Sequence, residues 1–130
     1  MLLFRVFLAL YYVKLQNAYI TESNKVGQFA IIGYEMASTT NFTYSDKVSG
    51  TGGTIAIPAA VTALWNAKAN VALNSCTQNS EWGLFGTAAS TGSGIDYSTG
   101  VKKGAAVSNG DKDQDCVALT SSFISIGVDN

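Results

Sequence analysis

The stretch Met1-Leu2-Leu3-Phe4-Arg5-Val6-Phe7-Leu8-Ala9-Leu10-Tyr11-Tyr12-Val13-Lys14-Leu15-Gln16-Asn17-Ala18-Tyr19-Ile20-Thr21-Glu22-Ser23-Asn24 has one charge in its first 13 positions and no Gly or Pro in all 24. Nothing in it interrupts a helix, and the first glycine is Gly27. Past the apolar run, Tyr12, Leu15 and Tyr19 recur at helical spacing, with Lys14, Gln16, Asn17, Glu22 and Asn24 filling the other face. The reading is one continuous helix from about Leu2 to Asn24, apolar all round at its start and amphipathic toward its end. A helix that is apolar on every side has to be covered, by lipid or by neighbouring subunits. At 1.5 Å per residue the 13-residue run spans about 20 Å, short of the roughly 30 Å hydrocarbon core of a bilayer. The alternative is a signal peptide. It fits less well, because Arg5 interrupts the apolar run and no small-residue cleavage pattern follows it.

Beyond Gly27 the helical signal fades and a head of strands and turns follows. The division is therefore 1–25 as an assembly or anchor helix and 26–130 as a β-rich head. Asn41-Phe42-Thr43-Tyr44 alternates polar and apolar residues, a Gly- and Ser-rich loop runs from Ser45 to Gly53, and Thr54-Ile55-Ala56-Ile57 reads as a strand stopped by Pro58. Pro58 to Leu64 reads as a short helical turn with proline at its first position. The clearest period of two lies in 65–74, where Trp65, Ala67, Ala69, Val71 and Leu73 share one face. Its alanines keep a helical alternative open. Glu81 to Thr87 and Gly94 to Ser98 give two more strands joined by Ala88 to Ser93, Thr99 to Asp115 reads as loop, and Val117 to Ile126 as a last strand. The expected fold class is α+β, a long N-terminal helix packed on a small antiparallel sheet.

Composition narrows the chemistry. Of 130 residues 17 are charged, the net charge is −1 and there is no histidine, while Gly, Ser, Thr and Asn together number 47. Without clustered Lys and Arg there is no field for nucleic acid. The missing histidine removes the usual general base and the commonest metal ligand, and with it Ser-His and Cys-His catalysis. Glu35, Glu81 and Asp96 are scattered along the chain, so no carboxylate pair is implied. The chain does not read as an enzyme.

Cys76 and Cys116 are the only cysteines, too few and too far apart for a zinc site and lacking a CxxC motif. Both sit in turn-rich sequence, and they read as one disulfide formed in an oxidising compartment, the alternative being two free thiols in the cytosol. Asp111, Asp113 and Asp115 alternate in Asn109-Gly110-Asp111-Lys112-Asp113-Gln114-Asp115, a spacing that can converge oxygens on calcium. The EF-hand pattern fails there, and the plainer reading is a solvated acidic loop. No other cofactor is suggested. The glycines at 50, 52, 53, 92 and 94 lack a phosphate-loop ending and read as flexible turns. Trp65, Trp82 and the six tyrosines read as core first and as a sugar-stacking surface second. Asn41-Phe42-Thr43 matches the N-glycosylation acceptor pattern, which matters only in a eukaryotic secretory pathway.

Tyr12 to Glu22, leading into Gly27-Gln28-Phe29-Ala30-Ile31-Ile32-Gly33-Tyr34, then Asn41 to Tyr44, Asn70 to Cys76 and Cys116 to Phe123, follow an order that resembles the bacterial type IV pilin and pseudopilin family. The resemblance spans about residues 12–130. It departs from the family at the front, where the peptidase site of glycine, phenylalanine and a nearby glutamate is missing. Glu22 is the first acidic residue, and that glutamate's role is not carried to it. Either the chain begins inside the family's helix or it is anchored differently. The resemblance implies a noncatalytic subunit of a type IV pilus-like filament at the cell surface. Its partners would be copies of itself or related pilin subunits, and it would sit in the membrane through its helix before assembly. Leu3, Phe4, Phe7, Leu8, Tyr11, Tyr12 and Leu15 would form the assembly face. The alternatives are a pseudopilin of a type II secretion system, which calcium in the 109–115 loop would favour, and a secreted glycan-binding β module.

Overall fold

The computed structural model describes residues 2–35 and 38–127, with side chains described from Leu8 onward. Helix α1 runs Leu2–Ser23 and stops where Asn24 turns left-handed (φ 59°), its N–H still donating to the Ile20 carbonyl at 2.8 Å. Asparagine tolerates that conformation better than other non-glycine residues, which makes it a natural helix terminator. The chain then forms β1 (Lys25–Gly27), a single helical turn α2 (Phe29–Ile32), β2 (Phe42–Asp46) and β3 (Thr54–Ala56). Three eight-residue strands follow: β4 (Thr62–Ala69), β5 (Glu81–Ala88) and β6 (Ile95–Lys102). A helical turn α3 (Gln114–Val117) and a 3-10 turn at Phe123–Ser125 close the described chain.

The expectation of a long helix on a small sheet, with its pilin-like α+β arrangement, is overturned. The strands make two antiparallel sheets, β1-β3 and β2-β4-β5-β6, and together they take more of the chain than α1 does. The nearest backbone neighbours of α1 are β1 and α2. The sheet is larger than its hydrophobic pattern suggests because glycines interrupt the alternation. Gly83, Gly86 and Gly100 sit inside β5 and β6, where a Cβ would run into Phe85 and Val107, Ile95 and Leu64, and the Ser108 carbonyl respectively. These positions are glycine for closeness of packing, and they read in the sequence as breaks.

One face of the large sheet carries Phe42, Tyr44, Trp65, Ala67, Trp82, Leu84, Tyr97 and Val101, all buried. The C-terminal segment and α1 cover this face. The Phe123 ring lies 6.1 Å from that of Trp65, the Trp82 indole N–H donates to Thr120 Oγ1 at 2.8 Å, and the Tyr97 hydroxyl donates to Asn17 Oδ1 at 2.9 Å. Such buried rings with satisfied polar ends hold a core in one arrangement. Over the opposite face the 103–110 segment folds back, with Val107 seated above Gly83 and Gly100.

Three local expectations are corrected. Pro58 to Leu64 is not a helical turn, since β4 begins at Thr62; the register shift between Ala63 and Trp65 makes Leu64 the extra residue of a bulge, fully buried above Gly86. The 65–74 strand ends at Ala69, with Val71 exposed and Leu73 bridged to Cys76 in a turn. Val117 to Ile126 is no strand: it coils through two helical turns, laying Phe123 and Ile126 onto the core.

Candidate functional site

The surface of α1 is the candidate site, and it is best understood from the face that is already occupied. Leu8, Ala9, Tyr12, Gln16 and Ile20 form a buried stripe at helical spacing. Gln16 is fully buried and behaves as a strand neighbour for Gly27: its Oε1 accepts the Gly27 N–H at 2.9 Å and its Nε2 donates to the Gly27 carbonyl at 2.9 Å. The same Nε2 donates to the Tyr12 hydroxyl at 2.8 Å. Farther toward the N-terminus, the Trp65 indole N–H donates to the Tyr34 hydroxyl at 2.9 Å, and that hydroxyl donates to the Leu8 carbonyl at 3.3 Å. Tyr12 and Tyr34 meet edge to face at 5.4 Å. A glutamine, two tyrosines and a tryptophan thus fix the helix to the body.

Burial dominates the acid–base behaviour of these phenols. It pushes Tyr34 up to about 12, against the opposing hydrogen bond from Trp65, and it raises Tyr12 and Tyr97 as well. Asp46 is also raised by burial, against the N–H groups of Phe29 (2.7 Å) and Val48 (3.1 Å) that it accepts.

The assembly residues divide in two. Leu8 and Tyr12 are turned into the body, and Leu15 is half-buried against it. Tyr11 is 44% exposed, its ring 5.7 Å from that of Tyr34. Leu3, Phe4 and Phe7 belong to α1, but their side chains lie outside the described residues. Leu10, which the sequence reading passed over, is 47% exposed. In the sequence it is one more member of the apolar run, because the Leu8–Tyr12–Gln16 stripe that leaves it outside is visible only in the structure. Beside Leu10 a groove of about 700 Å³ opens between α1 and the β5–β6 hairpin, its lining mixing Val13, Ile95 and Ile126 with Asn17, Thr21 and Asp96. Among the described residues no helix is long and apolar enough to cross a membrane.

The other candidates have structural employment. Cys76 and Cys116 form a disulfide with Cα atoms 4.9 Å apart, both sulfurs' residues fully buried. Asp111, Asp113 and Asp115 do separate jobs. Asp111 Oδ2 accepts the Ser108 N–H at 2.8 Å, and Asp113 Oδ1 caps α3 through the N–H groups of Asp115 and Cys116. Asp115 pairs with Lys103 at 2.7 Å. Among the described residues no group of three or more acidic or cysteine side chains is placed to hold a metal ion. Trp65 and Trp82 are each 1% exposed, so neither offers a face to a sugar ring. Comparison with family models, curated proteins and solved structures returns no match.

Proposed function

We propose that the protein is a noncatalytic structural subunit of a type IV pilus-like filament at the cell surface, and that it assembles with copies of itself through the N-terminal part of α1. The observation that carries this reading is the exposure of Leu10 and Tyr11 on a helix whose opposite stripe is already buried. In the sequence these two residues continue an apolar run that begins at Leu2 and contains a single charge. Exposed large apolar groups in continuity with such a run mark a surface that a partner covers. Low overall charge suits repeated subunit contact, because few ions lose their water when surfaces meet.

Sedimentation of the full chain over a range of concentrations tests the reading. The parent should associate, and Leu10→Glu, which alters an exposed position and leaves the buried stripe intact, should shift it toward monomer. A parent that stays monomeric at every concentration without detergent overturns the proposal.

A further inference from the structure

The segment that folds back over the outer face of the large sheet ends in a tight turn. Ser108, Asn109, Gly110 and Asp111 form it, and the Asp111 N–H closes it by donating to the Ser108 carbonyl at 3.1 Å. Gly110 is left-handed (φ 91°) and Asn109 is not, the combination of a type II turn with glycine at its third position. Both residues are exposed. Three hydrogen bonds brace the turn. The Gly110 N–H donates to the Thr99 carbonyl at 3.0 Å, the Val101 N–H to the Asp111 carbonyl at 2.8 Å, and the Ser108 N–H to Asp111 Oδ2 at 2.8 Å.

Asparagine is a thermolabile residue, because the backbone nitrogen of the next residue can reach its Cγ and close a five-membered ring. Glycine hinders that closure least, having no Cβ, and Asn109-Gly110 is the one Asn-Gly pair in the chain. We infer that Asn109 is a site of spontaneous deamidation, held in check by the hydrogen bond from the Gly110 N–H to Thr99. In the reaction the Gly110 nitrogen gives its proton to hydroxide and attacks Asn109 Cγ. The C–N bond of the side-chain amide breaks, and ammonia leaves with a proton taken from water. The cyclic imide then adds water at either carbonyl, and its opening leaves an aspartyl or isoaspartyl residue at position 109. Water is consumed, ammonia is released, and nothing is oxidised or reduced. A nitrogen whose hydrogen is engaged by Thr99 is free to react only when the turn lifts from β6, so local opening sets the rate. Either product adds a carboxylate beside Asp111 in a chain whose net charge is only −1. The isoaspartyl form also lengthens the main chain by one carbon, which puts the bracing bonds out of register. That loosens Val107, which sits above Gly83 and Gly100 and donates its N–H to Glu81 Oε1 at 3.2 Å. The inference is independent of the proposed self-association.

Incubation of the full-length protein at mildly alkaline pH, followed by peptide mapping with mass spectrometry, tests it. The peptide carrying position 109 should exchange its amide for a carboxyl before the Asn74-Ser75 and Asn79-Ser80 peptides do. The same conversion should run at least about tenfold faster in the urea-unfolded chain, where Thr99 no longer holds the Gly110 nitrogen. Asn109→Gln should abolish conversion at that position and leave near-UV circular dichroism unchanged, since the side chain is exposed. The isoaspartyl fraction, separated by ion exchange, should show amide hydrogen exchange at Val107, Gly110 and Asp111 about tenfold faster than the parent. Conversion at position 109 no faster than at Asn74 or Asn79 in the unfolded chain overturns the site. Equal rates at position 109 in folded and unfolded protein overturn the restraint by Thr99.

Discussion

Replacing Gln16 with leucine is the sharpest test of how the helix is held. The side chains are similar in volume, so packing changes little while three polar groups lose their partner: the Gly27 N–H, the Gly27 carbonyl and the Tyr12 hydroxyl. Gln16 is fully buried, and so is the contact with Gly27, so water does not readily replace what is lost. Each abandoned buried group costs about 1–3 kcal/mol, and added apolar burial by leucine offsets part of the total. A net loss of about 3–5 kcal/mol follows, which is a large share of the 5–15 kcal/mol that domains typically possess. At about 4 °C per kcal/mol for a chain of this size, Tm should fall by roughly 12–20 °C. Urea and thermal unfolding, followed by near-UV circular dichroism, measure the change. Thr21→Val is the control: it removes an exposed hydrogen bond to the Asn17 carbonyl on the same helix and should cost under about 0.5 kcal/mol. If Gln16→Leu loses less than about 1 kcal/mol, the glutamine is not bridging helix and strand in solution and the argument fails.

Three other outcomes are expected. The Cys76→Ala/Cys116→Ala variant should lose about 4 kcal/mol, the loop-entropy value for a separation of 40 residues, and a nonreducing digest of the parent should contain the joined peptides; two titratable thiols per folded chain would contradict this. Because Tyr12, Tyr34 and Tyr97 are raised above the ordinary value of 10.0, their neutral forms stabilise the fold fully below pH 10. That contribution is lost as pH rises toward about 12, where Tyr34 titrates, so phenolate absorbance from these residues should appear together with unfolding. Its appearance in a still-native protein just above pH 10 would show that the phenols are not buried. Asp113→Ala should cost about 1 kcal/mol through loss of the α3 cap, equally with chelator and with added calcium; a cost that depends on calcium would refute the capping role.

Sequence periodicity located the elements whose side chains alternate for reasons of their own. α1, β5 and the first half of β6 fall where the pattern puts them, and the paired cysteines were legible from their turn-rich settings. The elements that escaped are those created by distant partners. β1 exists because Gln16 and β3 bracket it, and α2 begins where Asp46, 17 residues away, accepts the Phe29 N–H. Neither relation leaves a local trace. The segment after Cys116 misled for the opposite reason, since its apolar residues suit a strand but serve a coil drawn down by the disulfide and by Thr120. At the candidate site the run of apolar residues was visible, but which of them face inward was not. The Leu8–Tyr12–Gln16 stripe is defined by a polar residue, and a glutamine is not read as core until its three partners are known.

Thr120 and Phe123 close over Trp82 and Trp65, and that arrangement sets an order of events during synthesis. The strands from β2 to β6 are all made before the C-terminal residues that complete the cover of their aromatic face. A chain still short of Phe123 therefore exposes two indoles to its surroundings. Apolar surface left open in this way is what makes incomplete chains prone to aggregate, and the cover is complete only once that last stretch is made.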